Sequence, residues 1–158
     1  MPTSKNIEFA RNLVKGKIAE TVFAQMLRET KRYTVLEFGY EKVIPEMIQQ
    51  GYNEKNETIE TLRTAPDFAV IDQKTKNVRL IEVKYNRVLY PQTILKIAKR
   101  MHKSWNPSYL FIASQSGFYF DEISEIIKNN GEINRLSTEQ VPQNVQDNYL
   151  DILLKFEK

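Results

Sequence analysis

The sequence predicts an α/β protein in which a central mixed sheet is flanked by helices. Three observations carry this. Apolar residues recur at helical spacing from Ile7 to Leu27. Short runs of β-formers follow at 33–39, 67–72 and 78–85. An amphipathic helix and a wholly apolar strand-like run then come in succession over 92–113.

The opening stripe uses Ile7, Ala10, Leu13, Val14, Ile18, Ala19, Val22, Phe23, Met26 and Leu27. It shifts direction around Lys15-Gly16-Lys17, which predicts a short helix followed by a longer one. Glu20 lies seven positions before Leu27, about 20° away in helical projection, so it borders the apolar face. An ordinary surface glutamate paired with Lys17 has the same pattern. Tyr33 to Gly39 reads as the first strand. Residues 40–64 are acidic and hold Pro45, and are expected to be an insertion, partly loop, with a short helix at Glu46–Gln50.

Strands are expected at about 67–72 and 78–85, joined by the polar turn Asp72 to Asn77. A helix over about 92–103 puts Ile94, Ile97, Ala98 and Met101 on one face and Lys96, Lys99, Arg100 and Lys103 on another. Pro107 to Ala113 predicts a strand buried on both faces, and Ser114 to Gly117 a turn. Helices are expected at about 121–128, stopped at Gly131, and at about 144–157, the latter packing on the core or a partner subunit. The 158 residues fit one domain spanning 1–158.

The absence of cysteine removes disulfides, thiolate metal sites and cysteine nucleophiles, and fits a cytoplasmic protein. Met1 to Asn12 lacks the apolar core of a signal peptide. No run approaches membrane-spanning length, so no membrane partner is expected. Net charge is +3, but residues 84–103 alone carry +6, from Lys84, Arg87, Lys96, Lys99, Arg100 and Lys103, with no acid among them. That block reads either as a polyanion-binding surface or as a solvated helix face.

The block begins at Glu82-Val83-Lys84. Alternation along a strand puts Glu82 and Lys84 on one side and Ile81 and Val83 on the other. A charged pair amid apolar residues needs partners. If the strands at 67–72 and 78–85 pair across their turn, Asp67, just after Pro66, comes close enough to Glu82 to share a divalent ion. Hydrolysis of a phosphodiester needs a hydroxide-like nucleophile and neutralised phosphoryl charge, and a divalent ion supplies both. Oxygen ligands suit Mg²⁺, with Mn²⁺ as a substitute, while one histidine and no cysteine argue against zinc. A lysine two positions from a ligand reaches the same phosphate.

Glu20 after Lys15-Gly16-Lys17, Pro66-Asp67 and Glu82-Val83-Lys84, in that order, resemble the PD-(D/E)XK nuclease superfamily, most closely its small Holliday-junction resolvases. The resemblance covers roughly residues 5–113. It implies a restriction-endonuclease-like αβββαβ core. The activity it implies is that of a metal-dependent DNA endonuclease, either structure-selective, as in junction resolvases, or of restriction type. An RNA or single-strand nuclease with the same core, or a non-catalytic nucleic-acid-binding domain, is the alternative.

By resemblance Asp67 and Glu82 hold the metal with the backbone carbonyl of Val83, Glu20 completes or orients its shell, and Lys84 positions the attacking water. Junction resolvases act as two-fold dimers, so a homodimer is implied too. The segment 40–64 is longer than such enzymes need between their first core strands. Outside these motifs, His102 reads as phosphate contact or exposed helical histidine, and Tyr85, Tyr90 and Trp105 as base-stacking or packing aromatics. Gln92 opens the basic helix, where helix-start polarity also explains it.

Overall fold

A computed structural model of the chain describes residues 4–39, 58, 61 and 64–157. Most of the expected insertion at 40–64, including the short helix at Glu46–Gln50, lies outside the described residues. The elements are α1 (Ser4–Glu29), β1 (Tyr33–Glu37), β2 (Phe68–Asp72), β3 (Val78–Tyr85), α2 (Pro91–Ser104), β4 (Tyr109–Ser114), β5 (Gly117–Glu122), α3 (Ile123–Lys128) and α4 (Gln143–Phe156). The expected α/β class is therefore observed, as an open sheet of order β1-β2-β3-β4-β5 with helices and a C-terminal helix. Neighbouring strands are antiparallel except β3 and β4, which run parallel around the crossover helix α2.

Alternation along the strands separates two apolar layers. Ile81, Val83, Phe111 and Ala113 face α1 and α4 and pack with Ala19, Val22, Phe23, Met26 and Leu153. Leu110 and Ile112 face α2 and α3 and pack with Ile94, Ala98, Met101, Ile123 and Ile126. β4 is thus buried on both faces, as its unbroken apolar run predicts. Phe23 sits at the centre of the first layer, its ring 5.2 Å from that of Phe68 and 4.8 Å from that of Phe111. Among the described residues no helix is long and apolar enough to cross a membrane.

Two expectations are corrected. The first helix does not break at Lys15-Gly16-Lys17; α1 is continuous through it. A mid-helix glycine costs only about 1 kcal/mol, and the shift in the apolar stripe marks where packing begins rather than where the helix stops. Residues 5–14 are all exposed, whereas Ala19, Val22, Phe23, Met26 and Leu27 are buried. The second correction is β5, which the sequence reading passed over. Ser114 to Gly117 does turn, but it closes a hairpin in which Ser114 pairs with Gly117 and the aromatic run Phe118-Tyr119-Phe120 extends the sheet.

Helix α2 carries the basic residues, and its start is set by a close backbone approach. Gly131, at φ +93°, lies against Pro91, and a Cβ on it would collide with the Pro91 carbonyl. At the other end of the sheet Arg32 grips Asp72 with two hydrogen bonds, 3.0 and 2.9 Å, tying the α1–β1 turn to the end of β2.

Candidate functional site

Strand β3 changes partners at Ile81. Its first half pairs with β2, ending at Phe68–Ile81, and its second half, from Ile81 to Tyr85, pairs with β4. Past Ile81 the β2 side of β3 is open, and continuing the register sets Asp67 opposite Glu82. Pro66, without an N–H, precedes the fork.

Asp67 is pinned from both sides of this fork. Its carbonyl accepts the N–H groups of Phe38 and Gly39 at 2.9 and 3.3 Å, and its carboxylate accepts the Val83 N–H at 2.9 Å. Since N–H and C=O of one strand residue point to the same side, the Val83 carbonyl also faces the fork. The Asp67 carboxyl further hydrogen-bonds with Glu82 and with Glu20, which α1 delivers from the layer above. The structure therefore brings Glu20, Asp67 and Glu82 together with Lys84, whose Nζ lies 3.7 Å from Glu82 Oε2.

The cluster is crowded with negative charge. Burial, reinforced by the Asp67 charge, raises the Glu20 carboxyl to about 7 against the pull of Lys17, 3.3 Å away. Burial raises the Asp67 carboxyl to about 8, helped by its hydrogen bond to Glu82 and that group's charge, while the Val83 N–H pulls the other way. Carboxyls with such values hold protons near neutrality and release them to a cation. Among the described residues no three acidic, histidine or cysteine side chains stand in a preformed metal cage. The oxygens within reach of a cation at the fork are those of Glu20, Asp67, Glu82 and the Val83 carbonyl.

A cleft of about 390 Å³ opens over the site, with Asn12, Gly16 and Lys17 of α1, Lys84 and Tyr85 of β3 and Arg100 of α2 on its walls. Of the five cations outside the carboxyl cluster expected to bind nucleic acid, Arg100 reaches the cleft. Arg87, Lys96, Lys99 and Lys103 are exposed but do not line it. Lys96 and Lys103 stand one turn to either side of Arg100 along the same flank of α2. His102 is exposed. Trp105 packs edge-on against Phe38 and donates its indole N–H to the Thr61 carbonyl at 2.8 Å, a structural role.

A second cleft of about 220 Å³ lies on the other side of Glu20 and Asp67, with Thr21, Gln25, Arg28, Glu37 and Gly39 around it. The sequence reading missed these residues. Arg28, two helical turns after Glu20, was the available signal. The carboxyl cluster thus forms a saddle between two openings that share Lys17, Glu20 and Asp67. Comparison of the sequence with protein-family models and with curated proteins gives no match.

Proposed function

We propose that the chain is a metal-dependent nuclease, a hydrolase of internal phosphodiester bonds in DNA. The observation that carries this reading is the meeting of Glu20, Asp67 and Glu82, from three separate elements, at an open strand fork beside Lys84. The order helix, three strands, helix, strand fits the restriction-endonuclease-like core implied by the motifs. Restriction-type and junction-resolving enzymes share this chemistry, and the substrate distinguishes them.

The donor set suits Mg²⁺ or Mn²⁺. It is all oxygen, and burial with mutual repulsion keeps the Asp67 and Glu20 carboxyls protonated near neutrality, so a small divalent cation relieves a cost that the fold already bears. Such a cation lowers the pKa of bound water and polarises the phosphate. The protein's own contribution is positional. Asp67, fixed through its carbonyl to the residues just after β1 and through its carboxylate to β3, is a rigid oxygen donor. Glu82 holds Lys84 at the cleft, where its ammonium donates to a phosphoryl oxygen as negative charge grows there. Arg100, with Lys96 and Lys103 beside it, attracts the flanking phosphates.

The test is a cleavage panel on branched DNA, linear duplex, single-stranded DNA and RNA at fixed salt, with Mg²⁺, Mn²⁺ or chelator. Wild type is compared with Asp67→Ala, Glu82→Ala and Lys84→Ala. Metal-dependent cleavage lost in all three variants supports the reading. Cleavage surviving in all three overturns it. Preference for RNA or single strands redirects the substrate while keeping the chemistry. Binding without cleavage on any arm makes this a nucleic-acid-binding domain.

A further inference from the structure

The opening on the far side of the carboxyl saddle has walls unlike those of the first. It is built by α1, the end of β1 and the start of β2, with nothing from the basic helix α2. Thr21, Gln25 and Arg28 fall at i, i+4 and i+7, one exposed stripe of α1 leading away from Glu20. Glu37 and Phe38 complete the wall. The two openings share Lys17, Glu20 and Asp67, so a strand that crosses the saddle passes from one directly into the other.

The groups along this stripe match different parts of a nucleotide. Arg28 donates to the Val35 carbonyl at 3.2 Å, which steadies a guanidinium that has further N–H donors for a phosphate. It stands eight residues beyond Glu20, about 12 Å along α1, so the phosphate it meets is not the one at the carboxyls but one further along the strand. The Gln25 amide both donates and accepts, as the edge of a base does. Phe38 offers ring surface on which a base can rest.

Glu37 decides between a groove for phosphates and a site for a base. A carboxylate on the wall repels a sugar–phosphate backbone but accepts a hydrogen bond from a base amino group. In a duplex the faces of a base are stacked and its pairing edge is occupied. Only a nucleotide out of the stack reaches Gln25, Glu37 and Phe38, and leaving the stack costs least where the base is already unpaired.

We propose that this opening takes one unpaired nucleotide next to the bond held at Glu20 and Asp67, so that the chain selects DNA with an unstacked base beside the cut. The position of the cut rests on the nuclease reading. Binding of the nucleotide does not depend on turnover.

The test is binding by the full chain carrying Glu82→Ala, which removes turnover, to three labelled DNAs at fixed salt. One is a plain duplex, one the same duplex with a single extra unpaired nucleotide, and one that bulged duplex with the extra base removed to leave an abasic sugar. The bulged duplex should bind about tenfold more tightly than the plain one, the worth of one stacked base, and the abasic form should lose the preference. Gln25→Ala and Arg28→Ala should each reduce the preference, and Gln25→Ala, at an exposed position, should keep the melting temperature of its parent. Equal affinity for plain and bulged duplex overturns the proposal, as does a preference that survives removal of the base or the Gln25→Ala change. Preference without cleavage by the wild-type chain sinks the nuclease reading alone. Cleavage without preference sinks this inference alone.

Discussion

The Asp67 carboxylate receives the Val83 N–H at 2.9 Å, taking a place that a β2 carbonyl would fill had the ladder continued past Phe68–Ile81. A side chain thus substitutes for backbone at the point where the sheet divides. The hydrogen bond also fixes the direction of the carboxylate, and with it the spacing to Glu82 and Glu20.

Asp67→Asn separates charge from shape. The amide oxygen still accepts from Val83 and its NH₂ donates to the neighbouring carboxylates, so the fold is kept and the repulsion falls. Cleavage should drop by about 10²–10³-fold or more, while melting temperature at pH 8 rises. A variant that melts lower than wild type at that pH would contradict the crowding described at the fork.

The same groups set a pH profile. In the unfolded chain Glu20 and Asp67 take ordinary values of 4.5 and 3.8; folded, they titrate at about 7 and about 8. The folded state therefore binds more protons between these limits. Their contribution to stability is fully present below the unfolded values, is lost as pH rises through about 7 to 8, and is constant above. Asp72 acts oppositely: Arg32 holds its carboxyl well below the usual range, so its contribution is present above its ordinary value and lost in acid. Melting temperature in chelator should peak on the acid side of neutrality and decline towards pH 8. Mg²⁺ should reverse the decline in wild type but not in Asp67→Asn. A wild-type profile that stays flat or rises from pH 5 to pH 8 would sink this account.

The legible part of the site was what strand geometry dictates. Alternation set Glu82 and Lys84 on one face, and the polar turn at 72–77 implied the antiparallel pairing that sets Asp67 opposite Glu82. What the sequence hid depended on distant partners. Gly16 sits in an unbroken helix because the packing that reorients its apolar stripe starts only at Ile18. β5 is built from aromatics that a strand reading admits, but the helix signal immediately after it drew the boundary too early. Which of five similar cations lines the cleft, here Arg100, is set by how α2 packs on the sheet, which no local pattern encodes.

For the basic helix, the placement of Arg100 makes the cations unequal. Arg100→Ala should weaken nucleic-acid binding and lower the slope of log K against log salt by about 1, as expected for one lost phosphate contact. Lys99→Ala, at about 100° from Arg100 around the helix, should change the slope less. Equal effects of the two would return α2 to a diffuse electrostatic surface. Binding measured with Glu82→Ala keeps this readout clear of turnover.

Gly131 meets the start of α2 at a place remote from the carboxyl cluster. Arg100 lies nine residues beyond Pro91, about 14 Å along α2, so a pivot of about 4° at the helix start carries its guanidinium through about 1 Å. Gly131→Ala pushes on the Pro91 carbonyl and supplies that pivot. It should lower melting temperature and alter affinity for nucleic acid while leaving the Glu20, Asp67 and Glu82 carboxyls where they are. On the proposed reading, grip and chemistry would in that sense be mechanically uncoupled, and a single methyl group on the far side of a helix would retune the hold on a nucleic acid.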